Sequence, residues 1–83
     1  MMLTVDQIRA GRALVRMTQN RLAKAAGISV ETVKRIEKGS GAASAHYRTI
    51  EAIRAALERA GVEFIDGNGG GPGVRLRAQA RPG

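Results

Sequence analysis

The sequence predicts a mainly α-helical fold in which four helices are followed by a short C-terminal β-hairpin. Two observations carry this prediction. Up to residue 61, apolar residues recur at helical spacing behind good N-capping residues, whereas beyond it they alternate with polar residues on either side of a glycine-rich run. We therefore expect a helical domain over residues 1–61, a hairpin over 62–77 and a flexible tail over 78–83.

The first predicted helix begins at a capping box. Thr4 and Gln7 have the required spacing, at which each side chain can bond the backbone N–H of the other residue. The apolar stripe that follows consists of Ile8, Gly11 and Val15. Arg12 falls on this stripe, and a buried guanidinium requires a carboxylate partner, for which Glu37 is the candidate. The alternative is an exposed Arg12 that contacts phosphate.

The centre of the chain, residues 18–39, predicts two short helices joined by a tight turn, and Thr18 caps a first helix that runs to about Ala26. Gly27 then supplies the turn, and Ser29 caps the second helix. A small apolar cluster would join the two helices through Leu22, Ala23, Ala26, Ile28, Val33 and Ile36. The second helix would keep off the core face the side chains of Val30, Glu31, Thr32, Lys34 and Arg35. A short helix presented in this way fits the major groove of DNA.

This central stretch resembles the Cro/repressor-type (Xre-like) helix-turn-helix family. The resemblance covers about residues 3–57, two-thirds of the chain, and lies in Thr18-Gln19, Leu22-Ala23, Ala26-Gly27-Ile28-Ser29, Thr32-Val33 and Arg35-Ile36-Glu37-Lys38-Gly39. It implies a lambda-repressor-like domain of four helices that binds double-stranded DNA. It also implies that Arg12 and Glu37 form a structural ion pair that locks helix 1 to helix 3, as in related phage repressors. The C-terminal strand pair resembles a small bacterial subgroup of the family.

The DNA-binding residues that we expect lie on the second helix of the motif and at the front of the first. Arg35 is placed for a two-pronged contact with guanine, while Lys34 and Lys38 are placed for phosphate. Glu31 could accept a hydrogen bond from cytosine, or it could simply favour the helix dipole. The full predicted set is Thr18, Gln19, Asn20, Ser29, Val30, Glu31, Thr32, Lys34, Arg35 and Lys38.

The charge of the chain favours a nucleic-acid partner, and its composition argues against catalysis. Of a net charge of +7, +6 lies between Arg9 and Lys38, where eight basic and two acidic residues occur. A solvated basic surface is the alternative interpretation. With one histidine, no cysteine and no paired acids on a shared face, we expect no enzyme, no metal and no cofactor. No apolar run reaches the length of a membrane span and no signal-peptide pattern opens the chain, so we expect a cytoplasmic protein.

Beyond Lys38 the sequence predicts an uncharged loop, residues 39–45, and a fourth helix. The side chains that could contact phosphate here are Ser40, Ser44, His46, Tyr47 and Arg48. We interpret His46 as a residue at the helix start and not as a metal ligand, because no second ligand lies nearby in the sequence. The helix is expected from about Ala45 to Ala60, with a buried stripe formed by Ile50, Ile53, Leu57 and Ala60.

The C-terminal segment predicts a β-hairpin that also joins two copies of the chain. Its strands are expected over Val62–Asp66 and Val74–Arg77, around a glycine-rich loop. Alternation sends Phe64 and Ile65 to opposite faces, so one face can rest on helix 4 while the other face and the free edge need a partner. The expected dimerisation residues are Val62, Phe64, Ile65, Val74 and Leu76. Helix 4 is the rival interface.

Together these features predict a sequence-specific DNA-binding transcriptional regulator, namely a bacterial repressor that binds a near-palindromic operator as a homodimer. Two alternatives remain open. One is the antitoxin of a toxin–antitoxin pair, in which the hairpin and tail would contact a partner protein. The other is a protein-interaction module or antiactivator, whose recognition face would meet an acidic protein.

Overall fold

The computed structural model of the chain describes residues 2–39 and 46–78. Its elements are α1 (Val5–Leu14), α2 (Gln19–Ala26), α3 (Val30–Glu37), α4 (Tyr47–Arg59), β1 (Val62–Ile65) and β2 (Gly73–Leu76). The predicted fold class, four helices and a C-terminal antiparallel hairpin, is thus confirmed. Most of the predicted loop, with Ser40 and Ser44, and residues 79–83 of the predicted tail lie outside the described residues. No helix of the described part is both long and apolar enough to cross a bilayer.

The first three helices begin where their capping residues predict. The Thr4 hydroxyl accepts the Gln7 N–H at 3.0 Å, and the Gln7 side-chain oxygen accepts the Thr4 N–H at 2.9 Å, which completes the capping box. Thr18 and Ser29 cap α2 and α3 through their hydroxyl oxygens. Gly27 ends α2 with φ = +71°, a left-handed conformation that glycine adopts without a steric penalty. These short-range bonds fix where α3 starts.

One core joins the four helices to the hairpin. The largest fully buried side chains come from every helix and from β1, and they are Ile8, Leu22, Val33, Ile36, Ile53, Leu57 and Val62. α2 packs on both α3 and α4, and α1 packs on α3, α4 and the hairpin. Because α3 contributes Val33 and Ile36 to this core, its opposite face is directed away from the core, towards solvent.

Helix α4 is shorter than expected at both ends. It begins at Tyr47, with His46 in the N-cap position but without a side-chain capping bond, and Ala45 lies outside the described residues. It ends at Arg59, and the prediction of a buried Ala60 is wrong, since Ala60 is exposed. Ala60 serves as the C-cap, where the chain leaves the helical period, and Ala56 fills the buried position one turn earlier.

The hairpin packs one face on α1 and α4. Val62 pairs with Leu76 and Phe64 with Val74. β1 ends one residue before its predicted end, and β2 both begins and ends one residue before its predicted bounds. Val62 is fully buried, and Phe64 and Val74 pack against the core. The opposite face carries an ion pair between Glu63 and Arg75, two residues that the antiparallel register places directly across from each other.

A buried glutamine attaches the hairpin to α1. The Gln7 amide nitrogen donates to the backbone oxygens of Ile65 and Gly73 at 3.2 and 3.0 Å, and the residue is only 3% exposed. Its side-chain oxygen is the one that completes the capping box at Thr4. The capping spacing predicted the oxygen contact alone. The amide nitrogen finds its partners some 60 residues away in sequence, where no local pattern could locate them.

Candidate nucleic-acid interface

The exposed face of α3 carries a compact set of charged side chains. Glu31, Lys34, Arg35 and Lys38 line an open concavity of about 270 Å³. Lys34 and Arg35 lie in the last turn of the helix, and Glu31 lies in its first turn, where the helix dipole favours an acid. The opposite face of α3 is fixed in the core, so the charged face is presented on a rigid element.

A buried ion pair sets the position of this helix. The Arg12 Nε and Nη2 atoms donate to the two carboxylate oxygens of Glu37, each at 2.7 Å. The Glu37 side chain is 4% exposed and that of Arg12 is 21% exposed. The Gln19 amide also donates to Glu37 at 3.0 Å, and Arg12 Nη1 donates to the Met17 backbone oxygen at 2.9 Å. One carboxylate thereby joins α1, the first residue of α2 and the end of α3.

The electrostatics of the pair favour its charged form. Burial by itself would raise the pKa of Glu37, but the hydrogen bonds from Arg12 and Gln19 and the charges of Arg12 and Arg9 outweigh it, so the pKa lies below its ordinary value. The hydrogen bond to Glu37 raises the pKa of Arg12. The charges of Arg12 and Glu37 therefore neutralise each other within the pair.

A second concavity lies between α1 and α3. It has a volume of about 420 Å³ and is lined by Arg9, Gln19, Lys34, Glu37 and Lys38. Arg9 Nη1 donates to the Glu37 backbone oxygen at 3.2 Å, which satisfies a carbonyl at the end of α3, and Nη2 donates to Asp6 at 3.1 Å. The two concavities share Lys34 and Lys38, so they flank the same two lysines of α3.

The order of elements, a capped helix, a left-handed glycine and a second capped helix with a charged outer face, is that of a DNA-reading motif. A model of helix-turn-helix proteins of the Cro/C1 type (Xre-like) matches residues 8–59 of the chain. The chain belongs to this helix-turn-helix family. α2 and α3 are therefore its helix-turn-helix, and α3 is its recognition helix. A search of the curated proteins gave no match.

Membership of the family supports a DNA-binding regulator. The structure divides the predicted DNA-binding residues into two groups. In the first group the side chains are already engaged within the protein. The hydroxyls of Thr18 and Ser29 accept backbone N–H groups, the Gln19 amide nitrogen is bound to Glu37, and Thr32 lies 2.9 Å from Ser29 through their hydroxyl oxygens.

Val30 also belongs to the engaged group. We expected this side chain off the core face, and that prediction is wrong, because Val30 is half-buried against the core. It occupies the first position of the helix, three residues before the buried Val33, and that spacing brings it round to the same side.

The second group presents unengaged side chains. Within residues 2–39 and 46–78, no side-chain hydrogen bond or ion pair engages the exposed Asn20, Glu31, Lys34, Arg35 or Lys38, and four of these five line the concavity on the recognition helix. The same ranges hold no cluster of His, Asp and Glu able to bind a metal ion. The surface that is left for a partner is thus a rigid helix face of mixed charge with a basic excess.

Two arginines on helices, which bind the ends of other helices, were not singled out from the sequence. Arg9 caps the end of α3, and Arg59 caps the end of α2 by donating to the Ala25 backbone oxygen at 3.0 Å. Arg9 lies one helical turn before Arg12, a spacing that places both on the same side of α1. This spacing was the one sequence signal that pointed to Arg9. No local pattern could indicate the bonds of Arg9 and Arg59, because both acceptors are backbone atoms of other helices.

Proposed function

We propose that the protein is a cytoplasmic repressor that inserts α3 into the major groove and binds a near-palindromic operator as a homodimer. The observation that carries this proposal is the exposed face of the recognition helix. Its charged side chains are unengaged in the described protein, while the buried Arg12–Glu37 pair holds the helix in place. A domain of this size that occupies an operator would hinder access of other proteins to the same DNA, which supports repression.

The proposed base contacts follow from side-chain chemistry. Arg35 can donate two parallel hydrogen bonds to guanine, the commonest specific pairing in the major groove, and Glu31 can accept from the amino group of cytosine. Both residues line the same concavity on one face of α3. Lys34 and Lys38 carry charge without a fork of donors, so we assign them to phosphate.

The DNA-reading proposal is tested by selecting bound duplexes from random DNA with the full chain. Arg35→Ala should then lose about 1–3 kcal/mol of binding free energy on the selected site and relax preference at one base position of each half-site. Lys38→Ala should weaken binding to all DNA sequences by a similar factor. It should also make the negative slope of log affinity against log salt shallower by about one. The assignments of the two residues would be reversed if Lys38→Ala changed base preference while Arg35→Ala changed only the salt slope. Salt-resistant binding to a protein, without a shift of any DNA, would favour the protein-interaction alternative.

The proposed dimer rests on a smaller surface than the five hairpin residues named from the sequence. Val62, Phe64 and Val74 are used in the protomer's own core. Ile65, on the outer face with Glu63, and Leu76, across from Val62 on the core-facing side, remain 37% and 41% exposed. A two-stranded sheet also has free edges that can pair with another strand. A two-fold contact through this hairpin would place two recognition helices on one face of the duplex.

Sedimentation of hairpin variants tests the dimer. Truncation after Gly61 is unsuitable because it would remove the fully buried Val62 and weaken the core. We expect wild type to sediment as a dimer and the double variant Ile65→Lys, Leu76→Lys to sediment as a folded monomer with weakened operator binding. Tyr47→Lys is the matched control, since Tyr47 is 68% exposed on α4. A monomer produced by Tyr47→Lys and not by the double variant would move the interface to α4.

A further inference from the structure

The flank pocket is the concavity between α1 and α3 that is lined by Arg9, Gln19, Lys34, Glu37 and Lys38. We propose that it binds a single phosphate of the DNA backbone and that Arg9, on α1, completes this site. The inference rests on the proposed function and extends it, because Arg9 lies outside the helix-turn-helix and was not among the expected DNA-binding residues.

The charges in the flank pocket favour an anion. Its one acid, Glu37, is fully engaged, since both carboxylate oxygens accept from Arg12 and one also accepts from Gln19. Lys34 and Lys38 form no ion pair with any carboxylate in residues 2–39 or 46–78. Three cations therefore surround a recess whose only lining carboxylate is already neutralised, and of the three only Arg9 is paired, with the exposed Asp6 outside the lining.

Arg9 retains donors for a ligand and is already held in place. A guanidinium has five N–H donors, of which the backbone oxygen of Glu37 and the carboxylate of Asp6 take one each. The Arg9 side chain is 54% exposed, so the remaining donors can reach a ligand from solvent. Because the contact with α3 fixes the head group beside the recognition helix, less side-chain freedom is lost on binding than for a free arginine.

The position of the flank pocket matches the wall of a major groove. An α-helix with its side chains is about 10–12 Å across, and the major groove is about 12 Å wide, so side chains on the flank of an inserted helix meet the sugar–phosphate backbone. The flank pocket shares Lys34 and Lys38 with the concavity that holds Arg35 and Glu31. When Arg35 and Glu31 face the bases, the flank pocket therefore lies beside the sugar–phosphate backbone of one DNA strand.

Salt titration of operator binding gives the first test. Arg9→Gln should make the negative slope of log affinity against log salt shallower by about 0.9, which corresponds to about fourfold weaker binding at 0.2 M salt and about 15-fold at 0.05 M if the affinities converge at 1 M. The matched control is Arg59→Gln, because Arg59 is also exposed and also caps a helix through a backbone oxygen, yet it lines neither concavity. Arg59→Gln should leave the slope unchanged.

Neutralising single phosphates gives the decisive test. A series of duplexes carrying one methylphosphonate each should contain a position that weakens wild type and has little further effect on Arg9→Gln or Lys34→Gln. A structural defect of Arg9→Gln could lower affinity, but it would leave that phosphate as important as before. If Arg9→Gln retains the full methylphosphonate effect, or behaves as Arg59→Gln does in salt, the flank pocket is not a phosphate site. If wild type selects no duplex at all, the proposed function itself fails.

Discussion

Two arginine–glutamate pairs in this protein have the same chemistry and different surroundings. Arg12 and Glu37 join α1 to α3 through two bonds of 2.7 Å, and Arg75 and Glu63 join the hairpin strands through two bonds of 3.1 and 3.0 Å. The side chains of the first pair are 21% and 4% exposed, and those of the second are 63% and 44% exposed. Their burial, more than their geometry, distinguishes the two pairs.

The difference shows what a pKa shift does and does not say about stability. The pKa of Glu63 is lowered chiefly by its hydrogen bond from Arg75, so both glutamates shift in the same direction. When Arg75 is removed, however, water can solvate Glu63, whereas without Arg12 the buried Glu37 keeps the Gln19 hydrogen bond but loses its bonded counter-ion. We therefore expect the pair beneath the recognition helix to be essential for the fold and the pair on the hairpin to be dispensable.

The largest expected effect comes from breaking the buried pair. Arg12→Ala leaves the buried Glu37 without its counter-ion and should lower the free energy of unfolding by about 3–5 kcal/mol, whereas Glu37→Ala leaves the partly exposed Arg12 and should cost less. The loss in Arg12→Ala is a large part of the roughly 5–15 kcal/mol expected for a whole domain. Urea unfolding of the full chain measures the loss.

The hairpin pair supplies the control for that measurement. Arg75→Ala and Glu63→Ala remove the same two residue types from an exposed pair, and we expect their unfolding midpoints to match wild type. Equal losses in the buried and the exposed variants would contradict the view that burial decides the contribution of an ion pair here.

A smaller effect is expected from the uncharged Gln7 side chain, which joins α1 to the hairpin. Gln7→Met removes the amide that donates to Ile65 and Gly73, together with the oxygen that accepts the Thr4 N–H, without introducing a charge, so it should cost about 1–3 kcal/mol. Hydrogen exchange should show the loss of protection in the hairpin first. A uniform loss over all helices, with the hairpin no more affected than the rest, would show that Gln7 does not hold the hairpin separately.

Lowering the pH should distinguish the contribution of Glu37 to stability from that of Glu63. Glutamine variants test this difference while keeping the size of each side chain. Because the folded-state pKa of Glu37 lies below its unfolded value, its contribution is complete above that unfolded value, about 4.3, and is lost as the pH falls through the folded pKa. Unfolding midpoints measured from pH 7 to pH 3 should fall for wild type and for Glu63→Gln. The fall should be smaller for Glu37→Gln, which cannot lose this charge. An equal acid sensitivity of Glu37→Gln and wild type would assign the effect to other carboxylates.

The smallest effect is expected where α1 packs against α4 and β1. Gly11 is buried in α1, where an added Cβ would lie 3.4–3.6 Å from atoms of Leu57, Val62 and Phe64, an ordinary contact distance. Gly11→Ala should therefore stabilise the protein by up to about 1 kcal/mol through helix propensity. Gly11→Leu, in contrast, should destabilise it by overpacking that seam. A destabilised Gly11→Ala variant would mean that α1 and β1 cannot separate by even a few tenths of an ångström.

Local signals predicted the elements that present the recognition helix. The capping residues Thr4, Thr18 and Ser29 and the left-handed Gly27 act within four residues of their own position, so they can be located by spacing alone. The need of Arg12 for a carboxylate partner was also predictable, because a charge on an apolar stripe demands an opposite charge, and the resemblance to related repressors implied that the partner is Glu37. The end of α4 was not, since the helical period continues to Ala60 in the sequence while the chain already turns towards β1.

The sequence by itself determined the fold class, the starts of the first three helices and the basic charge around the recognition helix, because these depend on neighbours in the chain. Only the tertiary structure decided which polar groups remain available for DNA. Gln19 has the chemistry of a phosphate contact, yet one of its two amide donors is bound to Glu37, and Arg9 was only one of the eight basic residues in positions 9–38 until the packing of α1 on α3 placed it beside Lys34. A side chain's partners depend on residues distant in sequence, and three-dimensional packing alone brings those residues within hydrogen-bonding distance.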